Sequence, residues 1–555
     1  MKRKLVALLC TLCMTTSLFA GCGSSSTSGS ETAEETAEAE DTEEAEEDYS
    51  SAGVVDETRE TGVRESINIA IEDPIELLPF RMTGGSEGKR LLYQVYETLC
   101  VLNGTGGEMT GTLAKDWTIN DDNTLVTVEL YDYITDSEGN TIDAYDVEWC
   151  YNYAIENSYL TNVSTLDTIV ATGDYTVEFS FPDGIQNAGE LEDVLCRLFI
   201  VDQDAFEASD DGFVTSGIGT GPYVIDEFTS GSSVRLVIND NYWQTDDSLK
   251  SYLAAANVET INYYVISDSA QLVTAITTGQ VDLAEGIVST SIDQFKTDDN
   301  YGIYILPDTQ STVLLPNCDE VSICSDENFR AAIFYAINND LVVSTLGEDA
   351  ALPLNEVMNS VFGDYQEEWD TEENYNTVYD LELAKEYLEK SSYNGETIRF
   401  YYMQSTSVGT AAEVIGMLLD ELGVSYELIS GDASTFFTNR SDTSYWDFIF
   451  PSGGSNNYGV GIWSLIFNAN NYGGNSFNFI VDEELQSLFE ACYSLEGHED
   501  VSNLNAFHEY FMEHYYAMGI YQSKKNIIYN SNAIATIVVN DKEYTVPGAF
   551  TYYVD

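Results

Sequence analysis

The chain runs to 555 residues and carries 95 Asp and Glu against 21 Lys and Arg, a formal net charge of −74. A surface this negative repels phosphate, which excludes a nucleic-acid partner. The 44% apolar content, with 24 Phe and 38 Tyr, is ample for a large buried core and excludes wholesale disorder.

Residues 1–21 open with Lys2, Arg3 and Lys4, continue as an apolar run from Leu5 to Phe19, and end in Ala20 and Gly21 before Cys22. The run has the length of a signal-peptide core and is too short to span a bilayer as a mature helix. Small residues ahead of a cysteine read as a lipoprotein-type signal, with Cys22 as the lipid attachment and new N-terminus. Two or more acyl chains there would anchor the protein stably. An ordinary secretory signal with a cysteine at its junction is the other reading. Residues 22–60 are Ser, Gly, Thr, Glu and Ala-rich, with no base between Glu31 and Asp48. Such a segment cannot bury enough apolar surface to fold, and it reads as an acidic, self-repelling tether. Beyond Cys22 the cysteines are Cys100, Cys150, Cys196, Cys318, Cys324 and Cys492, too sparse for a disulfide scaffold. Cys318 and Cys324 are close enough in sequence to close a small loop, or else are buried thiols.

Ser66–Ile71 reads as a strand and Lys89–Leu99 as a short amphipathic helix. Thr124–Leu130 alternates as a strand, the Asp136–Asn140 cluster marks a hairpin turn, and Asp143–Ile155 is helical. Tyr175–Phe181 and Val234–Ile238 are strands. Asp268 caps a helix that runs to Thr278 and stops at Gly279. Helices follow at Phe329–Ile337, Leu381–Lys390 and Ala411–Leu422, the last ended by Gly423; strands follow at Thr397–Tyr402 and Ser425–Ile429. Strands and helices mixed throughout predict α/β layers.

Four short motifs recur in a fixed order. They are Leu113-Ala114-Lys115-Asp116-Trp117 with the turn and Asp143–Trp149; Gly219-Thr220-Gly221-Pro222-Tyr223 with Asn239–Trp243; Ala275–Asp282; and Phe329–Ile337. Each also has a plain physical role. Gly219 and Gly221 suit a tight chain reversal before a strand, Tyr242 and Trp243 anchor packing, and Arg330 is a structural ion-pair partner. In this order the motifs resemble the extracellular solute-binding proteins of family 5, the oligopeptide- and dipeptide-binding lipoproteins of ABC importers, from about residue 66 to the end. The resemblance implies an α/β fold of the type II periplasmic-binding-protein kind: two lobes, a hinge and an additional third domain. Lobe I is then 61–96 with 200–306 and 524–555, the extra domain 97–199, and lobe II 307–523. It also implies a monomer on the outer face of a bacterial cytoplasmic membrane, which captures a peptide or other small solute and delivers it to ABC permease subunits. No cofactor, metal or catalytic residue is implied.

The resemblance places ligand contacts at Thr83, Gly84 and Gly85, at Tyr401 and Tyr402, at Gly453, Gly454, Asn456, Asn457 and Tyr458, and at Trp463. Glycines let a ligand approach the backbone, and aromatic faces hold apolar side chains, sugars or cations. Peptide binders of this family place a carboxylate for the ligand's amine near position 456. This chain has Asn456, which accepts a hydrogen bond without charge. Asp447 matches an earlier acid of the family instead. An oligosaccharide or other solute, or a role in peptide sensing or adhesion, keeps the same fold. An enzyme is the remaining rival. The one Gly-x-Ser-x-Gly match, Gly84–Gly88, lacks a strand ending at the turn, as a nucleophile elbow requires. His508 and His514, six apart, do not make the i,i+4 zinc pair.

Overall fold

A computed structural model describes residues 56–555 except 73–75, 81–85, 103–108, 161–164, 187, 355, 372–377, 452–457, 473–478, 496, 498–499 and 540–545. All of these residues lie in one compact unit, Tyr49–Asp555. The signal segment, Cys22 and the tether up to residue 55 fall outside the described residues.

Strand β1 (Arg64–Ile71) is followed by helix α1 (Ser86–Val95). Ile67, Ile69, Ala70 and Ile71 are all buried, so both faces of β1 are covered, as a parallel strand requires. The next stretch forms a sheet of its own. It comprises β2 (Ala114–Ile119), β3 (Leu125–Leu130), helix α2 (Ala144–Glu156), β4 (Thr168–Gly173), β5 (Thr176–Ser180) and helix α3 (Ala188–Cys196). Its four strands are antiparallel in the order β2-β3-β5-β4. Helix α2 starts where a capping box forces it to. Asp143 accepts from the Tyr145 and Asp146 amides, and Asp146 accepts from the Asp143 amide. Val147, Cys150, Tyr151 and Ala154 then bury one helical stripe. The Asp136 carboxylate accepts from the Glu138 and Asn140 amides, and Thr135 bridges Thr141, which makes the expected hairpin turn.

The chain returns through β6 (Tyr223–Thr229), β7 (Ser233–Ile238), β8 (Val258–Val265), helix α4 (Ser269–Thr277), β9 (Leu283–Glu285) and helix α5 (Ser289–Lys296). The long strand β10 (Tyr301–Pro316) leads out. There follow α6 (Glu327–Ala336), α7 (Asn339–Leu346), β11 (Ala351–Pro353), α8 (Leu381–Lys390), β12 (Ile398–Met403), α9 (Thr406–Leu422), β13 (Tyr426–Gly431) and β14 (Phe448–Phe450). Helices α10 (Gly459–Phe467) and α11 (Val501–Glu513) precede the second long strand, β15 (Met518–Asn530). One sheet runs β13-β12-β14-β10-β15-β9-β1-β8-β7-β6, with β11 paired to β15. This is the two-lobed α/β fold, its lobes joined through β10 and β15. Those two strands pair antiparallel from Tyr301↔Asn530 to Leu314↔Met518, with the register shifting between Pro307 and Ser311. A bulge there lets the ribbon bend where it passes between lobes.

The buried core is divided. One cluster joins Ile67, Leu91, Tyr223 and Ile261 to Val126, Val147 and Phe179 of the four-stranded unit. Others centre on Phe329, Ile333 and Phe400, and on Trp446, Trp463 and Phe507. Two local readings gain detail. Neither Gly219 nor Gly221 has a positive φ. A Cβ at Gly219 would meet the Val95 carbonyl oxygen, and one at Gly221 would lie 2.5 Å from that of Gln94. They are glycines because this loop packs onto the end of α1. Arg330 is 3% exposed and donates to the carbonyls of His514, Tyr515, Cys324 and Ser325, with Glu327 only at 3.8 Å. It therefore ties chain segments together through carbonyls more than through an ion pair. The six described cysteines are free thiols. Among the described residues no helix is long and apolar enough to cross a membrane.

Candidate functional site

The crossing strands position a cavity. One edge of β15 pairs with β9 over Ile527–Tyr529 and with β11 over Tyr521–Ser523. On that edge, between those pairings, residues 524–526 have no strand partner, although their other edge pairs with β10, and a cavity of about 280 Å³ opens there. It is lined by 286–289 from the loop after β9, by Asp308 on the bulge of β10, by Asp349 and Ala350 ahead of β11, and by 524–526. The loop leaves the carboxyl end of β9, where open α/β sheets commonly place ligands. Asn526 fixes this loop: its side chain accepts from the Ile287 amide at 3.0 Å and donates to the Ile287 carbonyl at 2.7 Å. Behind the loop, Arg90 and Glu285 form a buried ion pair.

The charges around the cavity are sorted. Lys296 of α5 reaches Asp349 at 2.6 Å, an ion pair between the two sides of the crossing. Burial works against the Lys296 charge, yet bonds to Asp349 and Asp293 outweigh it and raise the pKa. Lys524 donates to the Glu348 carbonyl at 2.8 Å. Burial lowers its pKa in spite of Asp349 and Glu348 nearby.

A second contact joins distant parts of the chain. Helix α10 begins where Asp364 accepts from the Gly459 and Val460 amides at 2.7 and 3.0 Å. That fixes Tyr458, whose hydroxyl donates to Glu192 of α3 at 2.9 Å. Glu192 and its neighbour Glu190 are both buried. On the same helix, burial pushes Asp193 up to about 6 against the opposing charge of Arg197.

Of the residues expected at the ligand, Thr83, Gly84, Gly85, Gly453, Gly454, Asn456 and Asn457 lie outside the described residues. Tyr458 is half-buried and reaches across to α3. Tyr402 is half-buried on β12, its ring edge-on to Phe450. Tyr401 is fully buried, stacked on Phe436, with its hydroxyl donating to the Thr435 carbonyl. Trp463 is 1% exposed among Trp369, Phe507 and Phe511. The structure thus separates the two outward tyrosines from two rings held inside the lobe. Sequence reasoning missed Glu192, Asp364, Lys296, Asp349 and Lys524. No local pattern distinguishes one carboxylate among 95, and the strand pairings that bring the lysines together are long-range.

Asp447 bonds Arg399 at 2.8 Å and Ser322 at 2.8 Å, which fits a structural acid. No group of three or more His, Cys, Asp or Glu among the described residues is arranged to hold a metal ion.

Comparison with known proteins agrees with this architecture. Residues 108–475 match the family described as bacterial extracellular solute-binding proteins, family 5 middle. The oligopeptide-binding protein OppA of Lactococcus lactis subsp. cremoris (strain SK11) is 22% identical over 435 residues, 66% of this chain and 70% of that one. The oligopeptide-binding protein AppA of Bacillus subtilis, solved with a nonapeptide, superposes with a TM-score of 0.68 at 14% identity, over 89% of this chain and 100% of that one. NikA of Brucella suis, solved with Fe(III)-EDTA, gives 0.71 at 17% identity, over 87% and 99%.

Proposed function

The chain belongs to the bacterial extracellular solute-binding proteins of family 5, and from that premise we propose that it captures an oligopeptide between its lobes and hands it unaltered to an ABC permease. Its relatives are substrate-binding proteins of transporters rather than enzymes, and the protein works by binding. The observation that carries the reading is the pair of crossing strands with a cavity at their bend. Rotation about such a ribbon opens and closes a cleft without breaking either lobe. Closure expels water from the bound solute and strengthens every polar contact to it. The peptide as cargo is supported by the oligopeptide-binding relative and by the neighbour that holds a nonapeptide.

Family 5 proteins act outside the cytoplasmic membrane. The finer picture is a monomer held at the outer face by acyl chains on Cys22, with residues 22–60 as its tether. The lobe boundaries belong to the same reading: 61–96, 200–306 and 524–555 for lobe I, 97–199 for the extra domain, and 307–523 for lobe II. The separate cores of 307–523 support the division of lobe II from the rest, while lobe I and the extra domain share one core. The contacts we assign to cargo are Thr83, Gly84, Gly85, Tyr402, Gly453, Gly454, Asn456, Asn457 and Tyr458, with Tyr401 and Trp463 backing them from inside lobe II.

Gentle purification followed by mass spectrometry of the co-purifying small molecules tests the assignment. A mixture of short peptides is expected. A single sugar, or a protein that retains no peptide from a pooled library, overturns it.

A further inference from the structure

Buried amide side chains stand where the crossing ribbon bends. The pairing of β10 with β15 steps from Pro307 to Ser311 and skips residues 308–310. Carbonyls in such a step need other donors. Gln522 of β15, 3% exposed, donates to the Asp308 carbonyl at 2.9 Å. Asn359, fully buried, donates to the Thr309 carbonyl at 2.9 Å and to the Ser311 hydroxyl at 2.8 Å. A carboxamide has two N–H donors, and Asn359 uses both on the bulge. Its oxygen accepts from the Val361 amide at 3.2 Å, which fixes the side chain to its own segment.

The far end of that segment holds a different element. Asp364, 4% exposed, accepts from the Gly459 and Val460 amides and so sets the start of α10, directly after Tyr458. In between, the Phe362 amide donates to the Asn359 carbonyl at 3.3 Å and the Tyr365 amide to the Phe362 carbonyl at 3.1 Å. Val361 and Phe362 are buried, and Met358 packs so closely on Gly459 that a Cβ there would collide with it. A segment folded on its own bonds and close-packed at both ends passes a displacement on instead of absorbing it.

Resting on the solute-capture reading above, we infer that residues 358–364 form a strut between the bend of the crossing ribbon and the start of α10, with Asn359 as the positioning residue that makes Tyr458 follow the hinge. When the ribbon bends, the bulge changes direction and Asn359 moves with Thr309 and Ser311. Asp364 then carries the end of α10, and with it Tyr458, whose hydroxyl meets Glu192 of α3. Bending of the ribbon and making of that contact become one event, and Asn359 acts on cargo through Tyr458.

The test uses the full chain, with amide hydrogen exchange in the absence of cargo and retention of a pooled pentapeptide library. Asn359→Ala removes both bonds to the bulge, and Ser311→Ala removes one of them with little change in volume. Asn339→Ala is the control: Asn339, also buried, donates to the Leu354 and Gly519 carbonyls at 3.0 and 2.9 Å, away from the bulge. Measured against the Ala384 amide of α8, exchange at Gly459 and Val460 should rise about tenfold in Asn359→Ala and about threefold in Ser311→Ala, and stay level in Asn339→Ala. Tyr458→Phe should lower library retention about three- to tenfold in wild type and in Asn339→Ala, but less than about twofold in Asn359→Ala. An asparagine that only stabilises the lobe would speed all three amides together and let the retention losses multiply, and either result overturns the strut. If Asn359→Ala does not fold, Ser311→Ala decides by the same exchange ratio, with no rise overturning the inference. A wild type that retains no library peptide overturns the peptide reading instead, and the cargo-free exchange ratios still decide the strut.

Discussion

The hydroxyl of Tyr458 donates to the carboxylate of Glu192 at 2.9 Å, across 266 positions of sequence. Tyr458 opens α10 of the unit that also contains β12 and β14, whereas Glu192 sits on α3 beside the four-stranded sheet. One bond thus ties together two parts that a hinge motion would separate. A hydrogen bond to a charged group contributes about 1.5–3 kcal/mol. Tyr458→Phe removes it with little change in volume. Small-angle scattering of the ligand-free variant should show a larger radius of gyration, and affinity for cargo should fall by about three- to tenfold as the closed population shrinks. Unchanged scattering and unchanged affinity would show that the pair does not bear on closure.

Glu97 predicts an acid-side gain in stability. It accepts from the Tyr242 hydroxyl and the Trp243 indole, both at 2.7 Å, which is how the Asn239–Trp243 motif packs. Burial pushes its pKa up from 4.5 to about 7, against those two bonds. The folded state therefore holds a proton that the unfolded chain releases between these values. Stability is fully present below about 4.5 and declines as pH rises through about 7. The full span is of the order of 3 kcal/mol. Asp146 and Asp193, each raised to about 6 chiefly by burial, add the same sign. The diagnostic quantity is therefore the difference between wild type and Glu97→Gln in urea unfolding at pH 5 and pH 8. A pH dependence that Glu97→Gln leaves untouched refutes the assignment.

Much of this fold is legible in local pattern. Leu381–Lys390 stands where its apolar spacing puts it, and Asp143, Asp268 and Gly423 set the helix ends that the capping chemistry demands. The two crossing strands are not legible, because their extended segments gain meaning only from each other, some two hundred residues apart. The site divides the same way. Tyr458 is visible because its segment resembles a family, but its partner Glu192 is one acid in an acidic chain. Lys524 carries no motif at all: its setting depends on three strands and a loop that converge from separate stretches.

The glycines of the Gly219–Tyr223 motif make a steric prediction. At Gly221 a Cβ would lie 2.5 Å from the Gln94 carbonyl oxygen, a backbone atom that cannot swing aside. Gly221→Ala should destabilise by about 1–3 kcal/mol, the usual cost of overpacking. Gly279 is the contrast. Its φ is +71°, with nothing within 4 Å of an added Cβ, so Gly279→Ala meets only backbone strain of about 1–2 kcal/mol. Supplying space should therefore separate them. Gln94→Ala leaves the carbonyl in place and should not rescue Gly221→Ala, whereas Gly279→Asn should recover part of the loss at that site. Thermal melts decide both cases.

His508 makes a prediction of the opposite sign to Glu97. It is 4% exposed, lies flat against Trp369 at 4.4 Å between ring centres, and has Nε2 3.3 Å from Glu356 Oε2. That spacing resembles an ion pair, but burial takes the imidazole down to about 3, so the ring stays neutral. A histidine lowered from 6.5 contributes stability that is fully present above 6.5 and is lost as pH falls towards about 3. Its ring C–H resonance, identified by its absence from His508→Gln, should hold still between pH 5 and 8. Movement with a midpoint near 6 would mean that the ring is charged beside Glu356 and that the pair is a true salt bridge. In that case His508→Gln would leave a buried carboxylate without its counter-charge and cost about 3–5 kcal/mol. The neutral ring predicts a smaller loss, dominated by packing against Trp369, so the NMR titration and the melt of one variant check each other.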